Sequence, residues 1–177
     1  MERSELVQRV DEVTERLVAA VGNLSDADVR EDSQLPGWTR GHVITHVARN
    51  ADALRNLLNW ARTGIETPAY ESAEAREAGI AEGADRSVIG LLADLSGSAA
   101  AFAAAVEVMP EETWDVKVKI LDSAEFPAEG VLLKRASEVV LHHTDLGIGY
   151  GPDDWPDWFA KVELDEPIAT FRKDRLA

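Results

Sequence analysis

The chain has 177 residues, no cysteine and a formal net charge of −15, which is enough for one domain with a hydrophobic core and offers no obvious second unit of similar size. Without thiols there is no disulfide framework, thiolate metal ligand or cysteine nucleophile, so any metal must rest on His, Asp and Glu, and any thiol chemistry needs a thiol from outside. The acidity disfavours nucleic acid as a partner, no apolar run approaches the roughly 20 residues that cross a bilayer, and the charged N-terminus MERSELVQRVDEV is unlike a secretory signal, so a cytoplasmic protein with no membrane partner is expected.

Along residues 2–21, Leu6, Val10, Val13, Leu17 and Ala20 recur at three- and four-residue spacing, the stripe of an amphipathic helix. Ser25 to Asp28 can start a helical turn, and Gln34 to Trp38 (QLPGW) break the pattern before Thr39 offers an N-cap. A long helix is predicted from about Arg40 to Ala61, ended by Thr63-Gly64. Pro68 enforces an extended stretch, and Ser72 caps a short helix ending near Gly83. Residues 87–108 form a long alanine-rich helix closed by Pro110. Val116, Val118 and Ile120 alternate with lysines as a short strand or extended excursion. The last clear helix runs from about Ala128 to Asp145, ended by Gly147 and Gly149. Four substantial helices give a mainly α fold, a four-helix bundle with a short extended excursion between the last two helices. No structure is assigned to the Trp-, Pro- and Asp-rich residues 151–177.

The four histidines fall in two clusters, His42 with His46 and His142 with His143. Residues four apart share a helix face, so His42 and His46 project together, as do Glu138 and His142. Two facing helices can thus bring two imidazoles and a carboxylate around a point, a common way of building a metal site in a bundle. Three such ligands leave room for water or substrate. The set suits catalytic zinc and equally non-haem iron. His143 lies about 100° around the helix from His142 and points elsewhere. His42 shares the face of His46 and is either a fourth ligand or a neighbour of the site. Arg49 with Asn50 follows on the His46 face and Arg135 on the Glu138 face; both arginines are candidate substrate-contacting groups, because an anionic substrate would need local positive charge on so acidic a chain. Their alternative role is a surface ion pair. Trp38 and Trp60 read as packing residues.

Residues 37–76, GWTRGHVITHVARNADALRNLLNWARTGIETPAYESAEAR, and residues 136–147, ASEVVLHHTDLG, resemble the corresponding segments of mycothiol-dependent maleylpyruvate isomerases, members of the DinB-like metal-binding helical superfamily. With the first helix, the resemblance covers most of residues 1–147. It implies a DinB-like bundle over residues 1–150 and a divalent metal, zinc foremost, held by His46, Glu138 and His142, with His42 and His143 outside the ligand set. It further implies mycothiol as the external thiol and a small-molecule substrate: thiolate adds to the double bond of maleylpyruvate, the resulting single bond rotates, and the thiol leaves to give fumarylpyruvate. The alternatives are a mycothiol S-transferase that conjugates electrophiles and a metal-binding module without turnover. Longer family members carry a further C-terminal domain that helps close the site and supplies an arginine. Residues 151–177 are read as a tail, the remnant of that domain, in which Arg172 and Arg175 are the arginines available to substitute.

Overall fold

In the computed structural model, which describes residues 1–176, the first apolar stripe becomes α1 (Arg3–Val21), burying Leu6, Val10, Val13, Leu17 and Val21. α2 (Arg40–Thr63) begins at the Thr39 cap and ends at Gly64, whose left-handed φ of 72° closes the helix. α3 (Ala73–Ala84) starts on the Ser72 side chain, and α4 (Val88–Glu107) on that of Ser87. The predicted excursion is a minimal antiparallel pair, β1 (Lys117–Val118) on β2 (Phe126–Pro127). α5 (Gly130–Asp145) follows. Two short helices, α6 (Asp157–Lys161) and α7 (Ile168–Asp174), then occupy the stretch that the sequence left without structure.

The core divides into two layers that define the helix directions. Leu6 and Val10 of α1 pack with Leu54, Leu57 and Leu58 of α2, Phe102 of α4 and Val131 and Leu132 of α5. The other layer joins Val13, Leu17 and Val21 to Val43, Ile44 and Val47, to Leu91 and Leu95, and to Val139, Val140 and Leu146. α1 and α5 therefore run one way and α2 and α4 the other. The parallel pair α2/α4 requires a crossover, and residues 64–87 with α3 supply it.

α3 lies close against α2 because both carry glycine where they meet. A Cβ at Gly41 would stand 2.2 Å from the Ala84 carbonyl oxygen, and one at Gly83 would stand 2.5 Å from the Thr45 Cγ2. This contact sets α3 beside the His46 turn of α2. α4 corrects one expectation from the sequence: its 20 residues, with a mean hydropathy of 1.6 over the most apolar window, are long and apolar enough to cross a membrane by length and composition. Alanines dominate that window, and the helix buries Leu91, Leu95, Ser98 and Phe102.

Candidate metal centre

His46 sits on α2, two turns from the Thr39 cap, while Glu138 and His142 lie one turn apart on α5. Their packing brings three donor atoms together: His46 Nε2 is 3.0 Å from Glu138 Oε2 and 3.0 Å from His142 Nε2, and the latter two atoms are 3.2 Å apart. The edge of a tetrahedron with ligands at zinc-like distances of about 2.0–2.1 Å is about 3.3–3.4 Å. The triangle is thus close to what one divalent ion would span, and its two-nitrogen, one-oxygen chemistry fits such an ion. His46 is the most enclosed, with 5% of its side chain exposed against 24% for Glu138 and 14% for His142.

The three groups are tuned unequally. Burial pushes the His46 imidazole below its ordinary value, towards the neutral form a ligand needs. Burial also acts to raise the Glu138 carboxyl, but hydrogen bonds with His142 and His46 overcome it and hold the group well below the usual carboxylate range. His142 moves upward: burial opposes its charged form, yet the bonds to Asp145 and Glu138 prevail. Asp145 accepts from His142 Nδ1 at 2.8 Å, which leaves the Nε2 lone pair facing the centre. Arg175 in turn clamps Asp145 with Nε to Oδ1 at 2.8 Å and Nη2 to Oδ2 at 2.5 Å.

A cavity of about 640 Å³ opens over the triad. Leu35, Trp38, Leu141, Ile168 and Phe171 give it apolar walls, and Arg76 and Arg175 give it cationic ones. α7 thus forms one side of the cavity. Arg76, on α3, points Nη2 at His46 Nδ1 at 3.2 Å.

The remaining candidates lie elsewhere. His42 belongs to the helix cap: its backbone N–H donates to Thr39 Oγ1 while its Nδ1 accepts from the Thr39 N–H at 3.3 Å, a reciprocal capping box. His143 is buried on another face, stacked on Tyr150 at 3.8 Å between ring centroids. Neither candidate arginine lines the cavity. Arg49 is held by Asp94 at 2.6 Å and Asp52 at 3.1 Å. Arg135 is buried, donating to the Val47 carbonyl at 2.7 Å and Asn50 Oδ1 at 2.9 Å, and burial brings its pKa down to about 10. In the tail, Arg172 donates to the Phe159 and Val162 carbonyls, away from the cavity, whereas Arg175 reaches it. Sequence reasoning overlooked Arg76 and the individual part of Asp145. Asp145 carried a signal, standing three residues after His142 on the same helix face; Arg76 carried none, because only the α2–α3 contact brings it to His46.

Comparison with known families matches residues 10–147 to the mycothiol maleylpyruvate isomerase N-terminal domain. The chain belongs to this family. Two crystal structures, described as the mycothiol-dependent maleylpyruvate isomerase and a histidine-to-alanine variant of it, superimpose with a TM-score of 0.86 at 34% identity, covering 90% of this chain and 66% of theirs. The fold is accordingly the DinB-like helical bundle of those enzymes, and this chain spans slightly under two thirds of their length. A search of curated proteins finds no match.

Proposed function

We propose that the chain houses the reaction centre of a metal- and mycothiol-dependent cis–trans isomerase acting on maleylpyruvate or a closely related unsaturated diacid, with His46, Glu138 and His142 as ligands of one divalent ion, zinc foremost. The observation that carries this reading is the convergence of those three donors within 4.8 Å at the floor of a cavity that also presents two guanidinium groups. A divalent ion held there would favour loss of a bound thiol's proton at neutral pH, and mycothiol would supply the sulfur that adds to the cis double bond and leaves after rotation.

The chain's own residues account for the rest. Glu138 stays ionised and brings one negative charge to the ligand set. Asp145 fixes the His142 tautomer, and Arg175 fixes Asp145. The apolar surfaces of Trp38, Leu35 and Phe171 exclude water beside the triad, and a cavity of about 640 Å³ has room for the reacting end of a thiol together with a seven-carbon diacid such as maleylpyruvate. Arg76 and Arg175 supply positive charge at the cavity of an otherwise acidic chain, Arg76 directly beside His46.

Product analysis of maleylpyruvate incubated with zinc-loaded protein, with and without mycothiol, tests the proposal. Fumarylpyruvate formed only when thiol is present, with the thiol recovered unchanged, is the expected result. Accumulation of a stable thiol adduct would assign an S-transferase instead. Equal turnover with and without mycothiol would overturn the thiol-dependent reading.

A further inference from the structure

The two histidines of the triad differ at the nitrogen that faces away from the centre. His142 Nδ1 meets an acceptor, the Asp145 carboxylate at 2.8 Å. His46 Nδ1 meets a donor, the Arg76 guanidinium at 3.2 Å. A guanidinium has only N–H groups and cannot accept. The contact with Arg76 therefore requires His46 to carry its single proton on Nε2, where that proton is shared towards Glu138 Oε2 and His142 Nε2, both 3.0 Å away. To offer an Nε2 lone pair to a metal and remain neutral, His46 must instead carry the proton on Nδ1. That proton would point straight at the Arg76 N–H. The contact between Arg76 and His46 and ligation through His46 Nε2 are mutually exclusive.

We propose that Arg76 is a metal-gated anion receptor: when His46 becomes a ligand, its tautomer change expels Arg76 from His46 Nδ1, and the freed guanidinium takes a carboxylate of the substrate in the cavity. The inference rests on the metal site proposed above and adds a coupling between ion and substrate. Arg76 is placed to make the move. Its side chain is 27% exposed, lines the cavity beside Trp38 and Leu141, and lies over the Tyr70 ring with its carbon 5.9 Å from the centroid. Its other charge partner, Glu77, is its exposed neighbour on α3. The cavity charge works in the same direction. With neutral histidines the lining carries the carboxylates Glu138, Asp145 and Asp174 against the guanidiniums Arg76 and Arg175, a net charge of −1 that a divalent ion turns to +1. An anion thus finds both a favourable field and a guanidinium N–H released from His46 only in the loaded site, where it competes with exposed Glu77 for Arg76.

Maleate, a simple cis-diacid, serves as the probe, with calorimetric titration into zinc-free and zinc-loaded protein. In the wild type, zinc is expected to tighten maleate binding by at least tenfold, and by reciprocity maleate tightens zinc to the same degree. Arg76→Met should bind zinc at least as well as the wild type yet keep no more than a fifth of the enhancement, the remainder being the ion's own field. Nitrogen-15 spectra of the His46 ring give a readout that a merely structural role would not move: protonated at Nε2 without zinc and at Nδ1 with it. The same enhancement in Arg76→Met and wild type, or a zinc-free His46 already protonated at Nδ1, would overturn the proposal. The zinc titration itself separates these outcomes from failure of the metal site, since in that case no variant would bind stoichiometric zinc.

Discussion

A single imidazole at this site has its role decided by its neighbours more than by its place in the sequence. His42 and His46 share a helix face, but Thr39 engages the first in a capping box and packing against α5 turns the second towards Glu138 and His142. His142→Ala should therefore reduce metal from about one ion per chain to a trace by elemental analysis. His42→Ala should leave metal content near the wild-type level and cost about 0.5–1 kcal/mol of stability through the weakened cap; loss of metal in His42→Ala would place that residue among the ligands. Asp145 acts one bond further out. With its carboxylate replaced in Asp145→Asn, His142 loses the partner that fixes its tautomer, and chelator competition should show metal affinity falling about 10- to 100-fold. An unchanged affinity would show that α5 alone orients the ring.

On the scale of the helix, the 100° step between His142 and His143 separates two different environments. His143 is buried against Tyr150, and that burial takes its pKa down to about 4. An unfolded imidazole titrates near 6.5, so unfolding takes up a proton between those values. The contribution is fully present above about pH 6.5 and is lost as pH falls towards 4, amounting to at most about 3 kcal/mol. His143→Phe, which preserves the stack, should flatten the pH dependence of the melting temperature across that window relative to wild type; parallel curves would contradict the assignment. This phasing was legible in the sequence, because E-x-x-x-H and H-x-x-x-H spacing on an amphipathic helix fixes which groups share a face. So were α1, α2, α4 and α5, through their apolar stripes, caps and terminating glycines. What could not be read were features made by tertiary contact. The glycine-mediated approach of α3 to α2 delivers Arg76 from 30 residues downstream of His46, and α7 returns Arg175 to Asp145 from a segment without periodicity. Arg49 and Arg135, near the proposed ligands in sequence, are drawn instead to Asp94 and to the Val47 carbonyl, because a neighbour on the chain can still face another side of its helix.

At the scale of the whole molecule, a bundle with a charge of −15 builds one cavity whose proposed metal ligands and arginines come from α2, α3, α5 and the end of α7. The crossover between the parallel helices α2 and α4 carries α3 to the cavity, and the C-terminal segment closes its other side, so the site depends on the assembled fold rather than on one motif. In the proposed reaction centre, this cavity presents a divalent ion on His46, Glu138 and His142 to an external thiol. X-ray absorption at the zinc edge, recorded on loaded protein before and after addition of mycothiol, tests it most directly. The expected spectrum has a nitrogen and oxygen shell at about 2.0–2.1 Å, joined on adding mycothiol by one sulfur at about 2.3 Å. A spectrum unchanged by saturating mycothiol, with no sulfur shell, would contradict it.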